Sequence, residues 1–137
     1  MYRKNSLISK IYKKVQRSKD LAFVQRDFYC FSKDSDQIIR ALRKLTKDKV
    51  LIKIGKGAYA KAKKSELTGS YMPMGGLLNS GKQALEKFGI KTLPSSYNTA
   101  YNLGESTQAP TGRLIGVDRR VARVISFNGV SLRYERI

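Results

Sequence analysis

Asp34-Ser35-Asp36-Gln37-Ile38-Ile39-Arg40-Ala41-Leu42-Arg43-Lys44-Leu45-Thr46-Lys47 runs directly into Asp48-Lys49-Val50-Leu51-Ile52-Lys53-Ile54-Gly55-Lys56-Gly57-Ala58-Tyr59-Ala60. The first half has helical spacing. Ile38, Ala41, Leu42 and Leu45 share one stripe of a 3.6-residue turn. At about 100° per residue, Gln37, Arg40, Arg43, Lys44 and Lys47 fall on the opposite arc. Asp34 and Ser35 are placed to cap this helix, because a short side-chain oxygen there accepts first-turn amides that have no intrahelical partner. The second half predicts a hairpin. Val50, Ile52 and Ile54 alternate with Leu51 and Lys53, and the glycines on either side of Lys56 supply a permissive turn.

The residues before this stretch supply its supports. Leu7, Ile8, Ile11 and Val15 make an apolar stripe over Ser6 to Val15, a first helix whose Lys10, Lys13 and Lys14 are expected in water or on phosphate. Ser18-Lys19-Asp20 is a turn. Leu21 to Val24 fits a short strand that pairs with the hairpin. Gln25 to Phe28 fits a short second helix, with Phe28 and Phe31 pointing inward and Cys30 expected as a small buried apolar residue. Helix, short helix, turn, helix, hairpin is the order of a winged helix-turn-helix. On that plan the helix from Ser35 to Lys47 enters the major groove.

The nucleic-acid-binding set is then Ser35, Gln37, Arg40, Arg43, Lys44 and Lys47 on the helix, with Lys53 and Lys56 on the hairpin. Arginine and lysine contact phosphates and guanine edges, and Gln37 suits adenine. Lys53 and Lys56 suit backbone phosphate or the minor groove. The competing reading is a solvated basic face on a fold used for protein contacts.

Charge favours the first reading. The 137 residues carry 28 Lys and Arg against 10 Asp and Glu, a formal net charge of +18, which points to a polyanionic partner. Residues 1–67 hold 19 of the cations and 6 acids, while residues 68–137 hold 9 and 4 together with all three prolines. We therefore divide the chain into a 1–67 winged-helix DNA-binding domain and a 68–137 C-terminal domain for partner binding or dimerisation. Histidine is absent and Cys30 is the single cysteine. These facts exclude Ser-His-Asp and Cys-His catalysis and the ordinary zinc cages. No cofactor, metal or catalytic residue is predicted, and the expectation is a non-enzymatic protein. No apolar run approaches the roughly 20 residues of a spanning helix, so the expected location is the cytoplasm, at the nucleoid, with no membrane partner.

The second half reads as a small α+β module with one helix and an antiparallel sheet, which makes the whole chain α+β. Thr68 to Gly76 is a loop, and Asn79 or Ser80 is placed to cap a helix through Phe88 that Gly89 ends. Pro94 to Ala100 is ambiguous, and Thr107 to Gly112 is a second loop. Arg113 to Val117 and Val121 to Phe127 predict strands. Asn128-Gly129 is a strong hairpin signal, with Val130 to Tyr134 returning antiparallel. Val121, Ile125 and Phe127 would face the core with Val130, Leu132 and Tyr134, and Arg123 interrupts that side, being either at the core's edge or functional.

Gly76 to Gln83 imitates a phosphate-binding loop, but Gln83 stands where the magnesium-binding hydroxyl belongs and no buried strand precedes it. Arg113, Asp118, Arg119, Arg120 and Arg123 form a charged cluster assigned to partner binding. For Asp118-Arg119-Arg120 the plain alternative is a charged turn with an internal salt bridge, which is preferred to a phosphoryl-transfer site on Asp118, since one acid is too few for a two-metal site.

The chain resembles the AbiEi-type antitoxins of bacterial type IV toxin–antitoxin systems in their short stand-alone form. The resemblance lies in Phe23-Val24-Gln25-Arg26-Asp27-Phe28, Ala41-Leu42-Arg43-Lys44-Leu45 and Leu51 to Lys61. It continues in Ser106 to Arg113, Gly116-Val117-Asp118-Arg119-Arg120, Asn128-Gly129 and Tyr134-Glu135. It implies a winged helix that binds operator DNA and represses its own operon; a two-fold DNA site would call for a homodimer, although no heptad seam is visible in the sequence to supply one. It also implies a C-terminal domain that counters a nucleotidyltransferase-like toxin. A structural RNA-binding protein of ribosomal type is the alternative that the charge fits equally well.

Overall fold

The computed structural model describes residues 2–93 and 114–136. Within them the chain is α+β, with helices α1 (Leu7–Arg17), α2 (Ser35–Lys47) and α3 (Leu77–Lys87). The strands are β1 (Ala22–Val24), β2 (Leu51–Gly55), β3 (Ala58–Lys64), β4 (Tyr71–Pro73), β5 (Thr92–Leu93), β6 (Leu114–Val117), β7 (Ser126–Phe127), β8 (Val130–Ser131) and β9 (Arg133–Arg136). A 3-10 turn, Gln25–Phe28, follows β1. None of the described helices is long and apolar enough to cross a membrane. The readings of Pro94 to Ala100 and Thr107 to Gly112 lie outside the described residues.

Local chemistry sets the helix ends. Ser6 caps α1 by accepting the Ser9 amide, and Asp34 caps α2 by accepting the amides of Asp36 and Gln37. These oxygens satisfy donors that a helix start leaves orphaned. At the other end of α2, Lys49 takes a left-handed conformation (φ 65°). Its amide reaches Thr46 and that of Val50 reaches Leu45, a Schellman closure built without the usual glycine.

Strands β1, β3 and β2 form an antiparallel sheet in that order, with β4 extending it along β3. Side chains alternate across the sheet, and each face carries its own core. Phe23, Leu51 and Tyr59 point to the face covered by Ile11, Val15, Phe28, Ile38, Leu42 and Leu45. Ala22, Ala58 and Ala60 point to the opposite face, where Leu85, Ile115, Ile125 and Leu132 pack on them. The alanines let that second layer come close to the sheet. Residues on both sides of position 67 thus share one apolar cluster.

The structure corrects several expectations. Helix α3 begins at Leu77, with Gly76 as its cap, because Asn79 and Ser80 turn back inside the first turn to donate to the carbonyls of Gly75 and Met74. Gly81 is buried inside this helix, and a Cβ there would stand 2.3 Å from Leu132. The apparent phosphate loop is therefore a packing site. Residues 121–125 are not a strand, and only Ser126–Phe127 and Val130–Ser131 pair across the Asn128-Gly129 turn. Both turn residues have positive φ, as a tight hairpin turn of this kind requires.

Strand β9 runs parallel to β6, whereas β5 runs antiparallel to it. The C-terminal sheet is thus mixed, and residues 118–132 form the long connection that a parallel pair requires. Cys30 is exposed rather than buried. Lys14 is not simply hydrated: its ammonium donates to the Asp27 carbonyl and lies over the rings of Phe28 and Phe31.

Tyr2 pins the N-terminal segment to the end of α2 by donating a 2.9 Å hydrogen bond to Asp48. Burial, followed by the Asp48 carboxylate, pushes its phenol up to about 12 from an ordinary 10. The same bond, with Lys44 nearby, lowers the Asp48 carboxyl. A phenol raised in the native state stabilises it fully below pH 10, and that contribution is lost as pH climbs through 12. Asp48 has the opposite limb: its share holds above the ordinary carboxylate range and disappears as pH falls through the lowered value. Spectrophotometric titration of the wild type minus Tyr2→Phe should therefore show a phenol ionising near pH 12; a difference curve centred on pH 10 would refute the pin.

Candidate nucleic-acid interface

The apolar stripe of α2 determines where its cations point. Ile38, Leu42 and Leu45 are fully buried and Ala41 nearly so, which holds the helix by one face and turns the other outward. Ser35, Gln37, Arg40, Arg43, Lys44 and Lys47 are all exposed. Lys44 pairs with Asp48 at 3.3 Å, one turn along the same helix, an exposed contact of little energetic weight. Among the described residues Arg40, Arg43 and Lys47 hold no ion pair. Arg43 does sense Tyr59, whose phenol is raised by burial and held back by that guanidinium.

The β2–β3 hairpin leaves Lys53 and Lys56 exposed. A register shift between Lys53 and Gly55 twists its end, and Gly57 (φ 72°) closes the turn in a conformation that L side chains avoid.

The C-terminal cluster does not gather at one site. Arg113 lies outside the described residues. Asp118 and Arg119 pair with each other at 3.2 Å in an exposed turn, which lowers the Asp118 carboxyl and raises the Arg119 guanidinium. Arg120 is exposed beside them. Arg123 goes elsewhere: its guanidinium lies 3.6 Å over the Phe88 ring and donates 3.1 Å to the Lys56 carbonyl. A groove of about 930 Å³ opens here, with Tyr29, Lys56, Phe88 and Arg123 among its walls.

Two residues that sequence reasoning left out tie the layers together. Gln83 accepts the amides of Leu21 and Ala22 at 2.5 and 2.7 Å. Lys87 donates to Asp20 at 2.9 Å, to Asp27 at 2.8 Å and to the Ala22 carbonyl at 2.8 Å, and lies 4.8 Å from the centre of the Phe23 ring. Both sit on the polar side of α3, sixty or more positions from their partners in the chain. Only the hydrophilic flank of that helix marks them, and it does not say what they meet.

Comparison with curated proteins and with solved structures returns no match for this chain. Residues 8–130 match the model of DUF6088, a family of unknown function, and the chain belongs to that family.

Proposed function

We propose that this protein is a winged-helix regulator that binds duplex DNA, with α2 as the recognition helix and the β2–β3 hairpin as the wing. One observation carries the reading: an amphipathic helix held by Ile38, Leu42 and Leu45 leaves Gln37, Arg40, Arg43, Lys44 and Lys47 together in solvent. The order α1, β1, 3-10 turn, α2, β2, β3 and the β1-β3-β2 pairing support it. So does the formal charge of +18, concentrated in the same half of the chain.

On this reading Arg40 and Arg43 read base edges or phosphates, Gln37 and Ser35 sit at the groove-entering end, and Lys53 and Lys56 hold flanking backbone. The protein regulates its own operon as a dimer on a two-fold operator. The sequence resemblance extends the proposal to an antitoxin role against a nucleotidyltransferase-like toxin, met through the surface that carries Asp118, Arg119 and Arg120.

The test is a competition titration at matched, moderate salt, because bare affinity for any polyanion is dominated by charge. A labelled duplex from the upstream region of the gene is challenged with unrelated duplex and with structured RNA. The expected result is displacement by the unlabelled upstream duplex well before either competitor. Displacement by RNA first would replace this reading with an RNA-binding one.

A further inference from the structure

Residues 121–125 cross the tip of the β2–β3 hairpin as a strap fixed at its middle and at its C-terminal end. The Tyr134 hydroxyl donates 2.8 Å to the Arg123 carbonyl, and the Leu132 amide donates 2.9 Å to the Ile125 carbonyl. Phe88, the C-cap of α3, forms a plate beneath the Arg123 guanidinium. From that plate Arg123 reaches the Lys56 carbonyl. One residue further on, the Val124 carbonyl closes on Gly55, where a Cβ would stand 2.8 Å from its oxygen. Two consecutive backbone positions at the tip are thus met by two consecutive residues of the strap.

The hairpin needs such a contact. Its tip is built on Gly55 and Gly57, and glycine leaves a turn free to sample both signs of φ. A tip that wanders must be ordered when it meets a ligand, and that cost is subtracted from affinity. A guanidinium stacked on a ring is held by two interactions in different directions, so its donor geometry is stiff.

We propose that Arg123 is a positioning residue for the wing: plated on Phe88, it holds the Lys56 tip in the orientation in which Lys56 meets a phosphate. This rests on the DNA-binding reading for its consequence, though not for its geometry. Arg123 acts through the Lys56 backbone and is not itself a phosphate ligand.

Two measurements decide it. Without nucleic acid, amide relaxation of Lys56 and Gly57 should report a rigid tip in the wild type, with order parameters near about 0.85, falling toward about 0.6 in Arg123→Ala. Phe88→Leu, which leaves the charge unaltered, should loosen the same amides. Rigid amides in both variants would overturn the proposal, whatever the protein binds.

With the upstream duplex, Lys56→Ala and Arg123→Ala should each flatten the slope of log Kobs against log salt by about 0.9 and weaken binding roughly fivefold near physiological salt. The double variant should be no weaker than either single one, because both remove the same contact. A slope loss that doubles in the double variant would make Arg123 an independent phosphate ligand and overturn the positioning role. If Arg40→Ala and Arg43→Ala also leave binding untouched, the DNA-binding reading falls, and the relaxation data alone then judge the strap.

Discussion

Replacing Arg40 and Arg43 together by alanine is expected to weaken specific duplex binding by about 3 kcal/mol or more, over a hundredfold in Kd. Each base or phosphate contact of this type contributes roughly 1–3 kcal/mol. The two residues stand three positions apart on the exposed arc of α2, so they reach adjacent points of one groove. Both are exposed and outside any ion pair among the described residues, so stability should stay within about 0.5 kcal/mol of the wild type. Binding and folding are therefore separable in this variant. A fluorescence titration against the upstream duplex reads the first, and urea melting reads the second. Unchanged affinity with unchanged folding would end the assignment of α2 as a recognition helix.

The other large effect is on stability. Lys87→Met keeps most of the side-chain stem but removes the ammonium that Asp20, Asp27 and the Ala22 carbonyl share. Lys87 and Asp27 have side chains only 17% and 21% exposed, while Asp20 is 45% exposed. The cluster therefore lies between a surface pair, which contributes less than about 1 kcal/mol, and a buried one, whose breaking costs about 3–5 kcal/mol. We expect a loss of about 2 kcal/mol, read as a lower urea midpoint at unchanged m. Asp27 keeps the Val24 amide as a donor, which limits the damage. A midpoint unchanged within error would show that the Lys87 ammonium contributes nothing to holding α3 on β1.

These two variants act on different layers. Arg40 and Arg43 lie on the outside of the helical layer, and Lys87 lies at the seam between the first sheet and the second layer. The first effect should appear in binding at constant stability, and the second in stability.

What the amino-acid order determined alone is local. The stripe Ile38, Ala41, Leu42, Leu45 and the cap at Asp34 specify α2 from Ser35 to Lys47 and say which side chains face water. Helical spacing and capping are properties of neighbours in the chain, so they are visible without the fold. The same holds for the short strand before the 3-10 turn, for the Lys56 hairpin and for the Asn128-Gly129 turn.

The tertiary structure decided everything that depends on residues distant in the chain. Arg123, grouped with Asp118 and Arg119 by proximity in sequence, stacks on Phe88 and serves the Lys56 turn instead. Cys30 lies between two aromatic residues, yet the chain turns it outward. Residues 121–125 have the apolar character of a strand but lie as a strap, because β9 takes its place beside β6. Strand pairing needs an open edge and a connection of the right length, and neither is encoded in the alternation of a five-residue segment. Gln83 and Lys87 carry no local signal, since their partners lie across a packed layer that exists only once the chain has folded.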